Sequence, residues 1–318
     1  MKRLPLFVLT LGLLLGTFAR GEDAPIPAKD RIVVLISIDG FPAWLWNDPT
    51  LPVPNLRRLA AEGATADAMT VSNPSITWIN HTTLVTGVNH ANGPGSQASY
   101  TAFAYADRLV GDILAALTEA GLKDKATVVI ATDHGFKKVA KLVYPNVVLR
   151  KAGLVQVDKE AVSACDAYVM SQGGMAFVYV TDPARRDALL PQLRELFTAT
   201  EGVDRVMDGT DGPTMGMPLP SENTGMGDLV LFAKAGYAFQ GKFDGEEPVV
   251  VSTNYLGTHG CPSTDPQLDG AFIAWGYGIK PGTRIPRIAN LDIAPTLAEL
   301  LGVKLPNPDG RVLREILK

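Results

Sequence analysis

The sequence predicts an α/β fold, with a mostly parallel central sheet flanked by helices, and three observations carry that reading. The first is Arg31-Ile-Val-Val-Leu-Ile-Ser-Ile-Asp39-Gly40, an unbroken apolar run that ends in an acid and a glycine. Such a run is the pattern of a strand buried on both faces of a parallel sheet. The second is Lys125-Ala-Thr-Val-Val-Ile-Ala-Thr-Asp133-His134-Gly135, which repeats it. The third is a set of amphipathic stretches at residues 53–63, 99–121, 183–197 and 290–302, whose apolar residues return at helical spacing.

In chain order, Lys2 and Arg3 precede an apolar run over 4–18, interrupted by Pro5, and Ala19-Arg20-Gly21 offers small residues for cleavage. Residues 1–21 therefore read as a secretory signal peptide, and export to the periplasm or the medium is expected. The run is shorter than the roughly 18–20 residues of a membrane span, and no later segment competes, so no span is expected after cleavage. Residues 22–30, with Pro25 and Pro27, form a flexible leader. Residues 31–318 are expected to make a single α/β domain.

Asp39 falls at the carboxyl end of the first strand, the edge where open α/β sheets bind ligands, although Asp-Gly is also an ordinary turn. The helix over 53–63 stops at Gly63, and 64–71 leads back to the sheet. The helix over 99–121 carries Tyr100, Phe103, Leu109, Ile113, Leu114 and Leu117 at core spacing and stops at Gly121. Its aromatics read as core residues. Strands follow at 177–180, 228–233 and 271–276, and Pro183 opens the helix that runs to 197. A polar loop before the last strand contains Gly257-Thr258-His259-Gly260. The closing helix is capped near Asp292 and stopped by Gly302. No internal repeat is visible.

Composition narrows the function classes. With 29 basic and 33 acidic residues the net charge is -4, which excludes the electrostatics of a nucleic-acid binder and leaves a small molecule as the expected partner. Two cysteines, Cys165 and Cys261, could pair in an oxidising compartment, and no C-x-x-C spacing is present. A bound metal would therefore be held by carboxylate and imidazole.

The stretch over 72–93, Ser-Asn-Pro-Ser-Ile-Thr-Trp-Ile-Asn-His-Thr-Thr-Leu-Val-Thr-Gly-Val-Asn-His-Ala-Asn-Gly, concentrates hydroxyls, amides and two of the four histidines. Asn73-Pro74 signals a turn, so Ser75 or Thr77 would sit near a helix N-terminus, where a hydroxyl either caps the helix or meets an anion. The four histidines, His81, His90, His134 and His259, all lie in or beside turns. Asp39 and Asp133-His134 at two strand ends, with His259 from a later loop, make an oxygen and nitrogen set suited to Zn2+. Zinc would acidify a ligating hydroxyl, and Thr77 is the hydroxyl placed on it.

The blocks Ile-Asp39-Gly, Pro-Ser-Ile-Thr77-Trp-Ile-Asn-His-Thr-Thr-Leu-Val-Thr-Gly, Thr-Asp133-His134-Gly-Phe and Gly-Thr-His259-Gly, in this order, resemble the type I phosphodiesterase/nucleotide pyrophosphatase family of the alkaline phosphatase superfamily. The similarity runs from about residue 31 to 310. It implies an alkaline phosphatase-like fold with two zinc ions. Asp39, Thr77, Asp133 and His134 would hold one, and His259 would bind the second. It also implies that Thr77 is the nucleophile, phosphorylated while a phosphodiester or nucleotide pyrophosphate bond is split. His81 reads as a supporting or structural residue rather than a ligand.

The chain departs from the family pattern after Gly87. Members carry a long segment there that supplies an Asp-x-x-x-His pair for the second zinc, and here only a dozen residues separate Gly87 from Tyr100. His90-Ala-Asn-Gly-Pro94 resembles the end of that pair and makes His90 a candidate ligand, but Thr86 stands four positions before it in place of Asp. A family Asn that holds the phosphoryl oxygen falls in the same region, and Asn89 and Asn92 match it by residue type alone. The domain thus carries an internal deletion near 88–98 and a shortened cap region. A second zinc site short of one ligand is expected to bind weakly and to leave activity low or absent. Two alternatives stand beside this reading, a phosphomonoesterase or sulfatase-like hydrolase of the superfamily and an inactive metal-binding scaffold.

Overall fold

Six consecutive residues that almost exclude solvent, Ala126–Ala131, form the strand about which the main sheet is assembled. The computed structural model describes residues 25–71, 94–159 and 161–318. Its first elements are β1 (Ile32–Ser37), α1 (Ala43–Trp46), α2 (Pro54–Glu62), β2 (Ala64–Thr70), α3 (Gln97–Glu119) and β3 (Ala126–Ala131). A middle section follows, with β4 (Lys137–Lys138), β5 (Lys141–Val143), α4 (Pro145–Lys151), β6 (Val155–Asp158), β7 (Ala161–Cys165), β8 (Ala167–Ser171), β9 (Met175–Val180) and α5 (Arg186–Thr198). It continues through β10 (Val203–Asp208), β11 (Leu229–Ala233), β12 (Tyr237–Phe239), β13 (Val249–Val251) and β14 (Gly257–Thr258). The chain closes with β15 (Gly270–Gly276), β16 (Thr283–Ile285), β17 (Ile288–Ala289) and α6 (Ile293–Leu301).

The main sheet has the order β1-β3-β15-β2-β16, with β17 also paired to β2. β1 and β3 are parallel, as are β2 with β16 and with β17, and β15 alone runs against its neighbours. The sheet is therefore mostly parallel, as expected. Its residues alternate between two covered faces. Val128 and Ile130 join Leu56 and Leu59 of α2 and Phe103, Val110 and Leu114 of α3. Val129 and Ala131 join Ile293 and Leu300 of α6 and the C-terminal Leu313 and Ile316. Of the α3 residues at core spacing, Phe103 is core and stacks on Phe41 with ring centroids 4.5 Å apart, and Tyr100 packs half-buried against the same cluster, whereas Ile113 is exposed, as is the aromatic Tyr105.

β1 differs from its expectation. The double-sided burial read from its apolar run holds for β3, but β1 lies at the edge of the sheet with Leu35 49% exposed and its other residues half-buried. An apolar run reports strand propensity. What covers the strand depends on neighbours that the run does not encode.

The middle section builds a second layer on its own core. β10, β11, β9 and β8 form an antiparallel sheet, against which α4 and α5 bury Leu149, Leu189, Leu193 and Phe197. The helix that Pro183 opens is a 3-10 turn, Pro183–Arg185, before α5 proper. β5 pairs with β12 and β13, and the two-residue β4 pairs with β14. Gly302 closes α6 in the left-handed conformation at φ 66°, the stop that the sequence predicts. Cys165 and Cys261 form no disulfide with each other; Cys165 is half-buried and Cys261 buried.

Helix α2 starts without a capping side chain, because Val53 precedes Pro54 and has no acceptor. The acceptor arrives from α3. Asp107, 2% exposed, takes the main-chain N–H of Leu56 at 2.7 Å, and that of Asn55 at 3.1 Å together with the Asn55 side-chain amide at 3.0 Å. One carboxylate thus satisfies the open helix end and pins α2 to α3. Replacing it (Asp107→Ala) is expected to cost about 3 kcal/mol, since it buries donors with no partner. Urea unfolding measures this, and a loss below about 1 kcal/mol would contradict the assigned role.

Candidate metal centre

The register of two strands brings two acids together. β1 and β3 pair in parallel from Ile32↔Ala126 to Ser37↔Ala131, and the next N–H, from Ile38, still reaches the carbonyl of Ala131 at 3.0 Å. Asp39 and Asp133 each follow the last pair by two residues, so both arrive at the carboxyl edge at the same level. His134 comes with Asp133. Donor atoms of Asp39, Asp133 and His134 all lie within 4.8 Å of one another, with Asp133 and His134 buried and Asp39 half-buried.

Local hydrogen bonds orient the donors. Asp133 Oδ1 accepts the N–H of Gly40 and the N–H of His134, each at 3.0 Å, which ties the two strand ends and aims Oδ2 at the histidine. His134 Nδ1 stands 2.9 Å from the carbonyl of Gly135. A carbonyl only accepts, so Nδ1 carries the proton and, in the neutral ring, Nε2 carries the lone pair. That lone pair faces Asp133 Oδ2 at 3.2 Å. Two such electron pairs face each other favourably only with a proton or cation beside them. Two ligands of one tetrahedral zinc with bonds of about 2.0 Å stand about 3.3 Å apart. The donor types, their spacing and the carbonyl that fixes the histidine tautomer therefore fit a zinc ion.

His259 reaches the same edge by another route. β4 and β14 pair antiparallel with Thr258↔Lys137, so His259 comes opposite Phe136. Its ring stacks on that of His134 at 4.2 Å with the planes 19° apart, and lies 6.0 Å from the Phe136 ring. His259 is half-buried, beside the converging trio rather than within it. Thr77, His90 and His81 lie outside the described residues. Phe136 and Trp44 were not singled out in the sequence. The Trp44 indole N–H donates to the carbonyl of Phe136 at 3.3 Å, and the one available signal was the position of Phe136 directly after Asp-His-Gly.

Cys261 lies two residues from His259, and without a metal, burial pushes its thiol up to about 12, so it is protonated at neutral pH. A cleft of about 1250 Å³ lined by Arg31, Lys125, Tyr277 and Glu299 belongs to the opposite end of the sheet, since Arg31 and Lys125 precede the amino ends of β1 and β3. It does not serve the Asp39, Asp133 and His134 set.

Comparison with known proteins gives one family. The model of "Type I phosphodiesterase / nucleotide pyrophosphatase" matches residues 33–92 and 87–262, a span of more than two thirds of the chain. Its two segments share residues 87–92, and together they contain Asp39, Thr77, His90, Asp133, His134 and His259. No curated protein matches the chain.

Zinc at about 100 times its dissociation constant is expected to stabilise the folded chain by about 2.7 kcal/mol. Asp133→Asn and His134→Ala should each remove that gain. Thermal melts with and without zinc decide it, and an undiminished gain in both variants would rule these residues out as ligands.

Proposed function

The chain belongs to the type I phosphodiesterase/nucleotide pyrophosphatase family, and from that premise we propose a zinc-dependent hydrolase of phosphodiester or nucleotide pyrophosphate bonds, impaired by an internal deletion near 88–98. One observation carries the reading: Asp39, Asp133 and His134 converge from separate parts of the family match onto one sheet edge. Asp39, Thr77, Asp133 and His134 would hold one zinc, and His259 with His90 the second. Bound there, the metals would supply Lewis-acid stabilisation of charge and acidify the attacking hydroxyl.

The chain's own residues then have defined tasks. The Thr77 oxygen attacks phosphorus in line with the leaving alcohol or nucleotide, whose bond to phosphorus breaks as the Thr77 bond forms, and the hydroxyl proton passes to the leaving oxygen or to solvent. Water next attacks the same phosphorus. The Thr77 oxygen leaves and regains a proton, and a phosphate monoester is released. Asp133, locked by two main-chain N–H groups, keeps its second oxygen on the site throughout. The carbonyl of Gly135 holds His134 in the tautomer that leaves Nε2 facing the other donors.

Impairment is supported by Thr86 in place of the family Asp and by the short interval to α3. The exposure of the apolar edge strand β1 agrees with loss of a covering segment. The same observations favour a second reading, a metal-binding scaffold without turnover. Export, read from the first 21 residues, belongs to the proposal as well. Among the described residues no helix is long and apolar enough to cross a membrane.

Zinc-loaded protein assayed on bis(p-nitrophenyl) phosphate, p-nitrophenyl phosphate and p-nitrophenyl sulfate should show low or no turnover. Any turnover should favour the diester and disappear in Thr77→Ala. Two tightly held zinc ions with turnover abolished by Thr77→Ala would end the claim of impairment while keeping the hydrolase. Diester turnover that survives Thr77→Ala would end the mechanism.

A further inference from the structure

The second sheet meets the metal centre at a turn. β8 and β9 are joined by Gln172-Gly173-Gly174, and this turn presses its main chain against the segment from Thr258 to Cys261. Gly174 donates its N–H to the carbonyl of His259 at 2.8 Å. The turn is fastened on its other side too: the carbonyl of Gly173 accepts from Phe239 of β12 at 2.7 Å, and that of Gly174 from Ala233 of β11 at 2.9 Å.

Neither position has room for a side chain. A Cβ on Gly174 would stand 2.0 Å from the sulfur of Cys261 and 2.9 Å from its Cα. A Cβ on Gly173, whose φ is +86°, would stand 2.4 Å from Thr258 Oγ1 and 2.5 Å from the carbonyl oxygen of His259. Two main chains in such contact fix each other's position to a few tenths of an ångström. The segment so held carries the imidazole that stacks on His134.

We propose that Gly173 and Gly174 are positioning residues for His259, so that the second sheet is a working part of the metal centre and metal held through His259 tightens the docking of the β8–β9 turn. The proposal rests on the reading of Asp39, Asp133, His134 and His259 as a metal site. It adds that the two main-chain contacts set the reach of His259, a ligand that the main sheet does not carry. The coupling is reciprocal: whatever fixes His259 fixes the turn, and whatever loosens the turn weakens His259.

The test uses the full chain and Zn2+. Gly174→Ala is expected to weaken zinc binding by about tenfold or more, the range of outer-shell substitutions, whereas Gly241→Ala, with nothing within 4 Å of its added methyl, should leave it unchanged. The double variant Gly174→Ala with Cys261→Gly removes the sulfur that the new methyl meets and should recover part of the loss. A second arm needs no glycine variant and decides the matter if Gly174→Ala does not fold. In the unsubstituted chain, zinc should slow amide hydrogen exchange at 172–175 by at least about tenfold, and His259→Ala should abolish that slowing while protection at 133–135 remains. Protection at 133–135 without any at 172–175 would overturn the proposal and spare the metal site. Protection at neither would overturn the metal reading itself, and the positioning role with it.

Discussion

The in-register parallel pairing of β1 with β3 is the constraint on which the rest of the structure depends. Every pair along it is offset by the same number of residues, from Ile32↔Ala126 to Ser37↔Ala131, and Asp39 and Asp133 extend that series by two steps. A slip of one residue would send one acid to the opposite face and dissolve the convergence. Burial of β3 on both faces is what makes the slip costly, because Val128 and Ile130 would exchange cores with Val129 and Ala131. The bond from Gly40 N–H to Asp133 Oδ1 then locks the two strand ends where the ladder stops. Hydrophobic burial thus sets the register, the register places the acids, and two hydrogen bonds aim one of them.

A second clamp acts at the same edge. Arg287 holds Asp269 with two bonds of 2.7 and 2.8 Å and Thr70 Oγ1 with one of 2.6 Å. Asp269 is almost wholly buried, and its own main-chain carbonyl takes the N–H of Ala43 at 2.8 Å. The bonds to Asp269 push the Arg287 guanidinium up, so the arginine stays charged. Its structural effect is to bind the start of β15, the turn after β1 and the end of β2 into one block. The end of β2 is where the chain departs for residues 72–93, and its anchorage there is independent of any metal.

Much of this was legible in the sequence because its signals were local. β3, α3 and α6 declare themselves by apolar period and by glycine stops, and the Asp-Gly and Asp-His-Gly endings mark the edge that matters. What was not legible depends on distant partners. β5, β12 and β13 are three residues each, too short to show a period, and gain their pairing only from one another. Asp107 reads as an ordinary helix residue, yet it caps a helix about fifty positions earlier. The stacking of His259 on His134 comes from a two-residue ladder, β4 with β14, that leaves no trace in composition. β1 shows the reverse case, since its strong local signal predicts a burial that its place at the sheet edge does not provide.

On the proposed reading, the two halves of the centre differ in how they are built and therefore in what they need. Asp39, Asp133 and His134 sit at the ends of packed strands and bring two negative charges, enough to balance a divalent cation without help from a ligand. His259 sits on a loop held by main-chain contact and, with His90, would offer imidazoles that carry no charge when they ligate. A dication held by neutral donors alone remains uncompensated, so it favours an arriving phosphate as its counter-charge. Replacement of the family Asp by Thr at position 86 therefore removes charge as well as a ligand. The second metal is then held less tightly than the first, which is balanced by the strands that carry it.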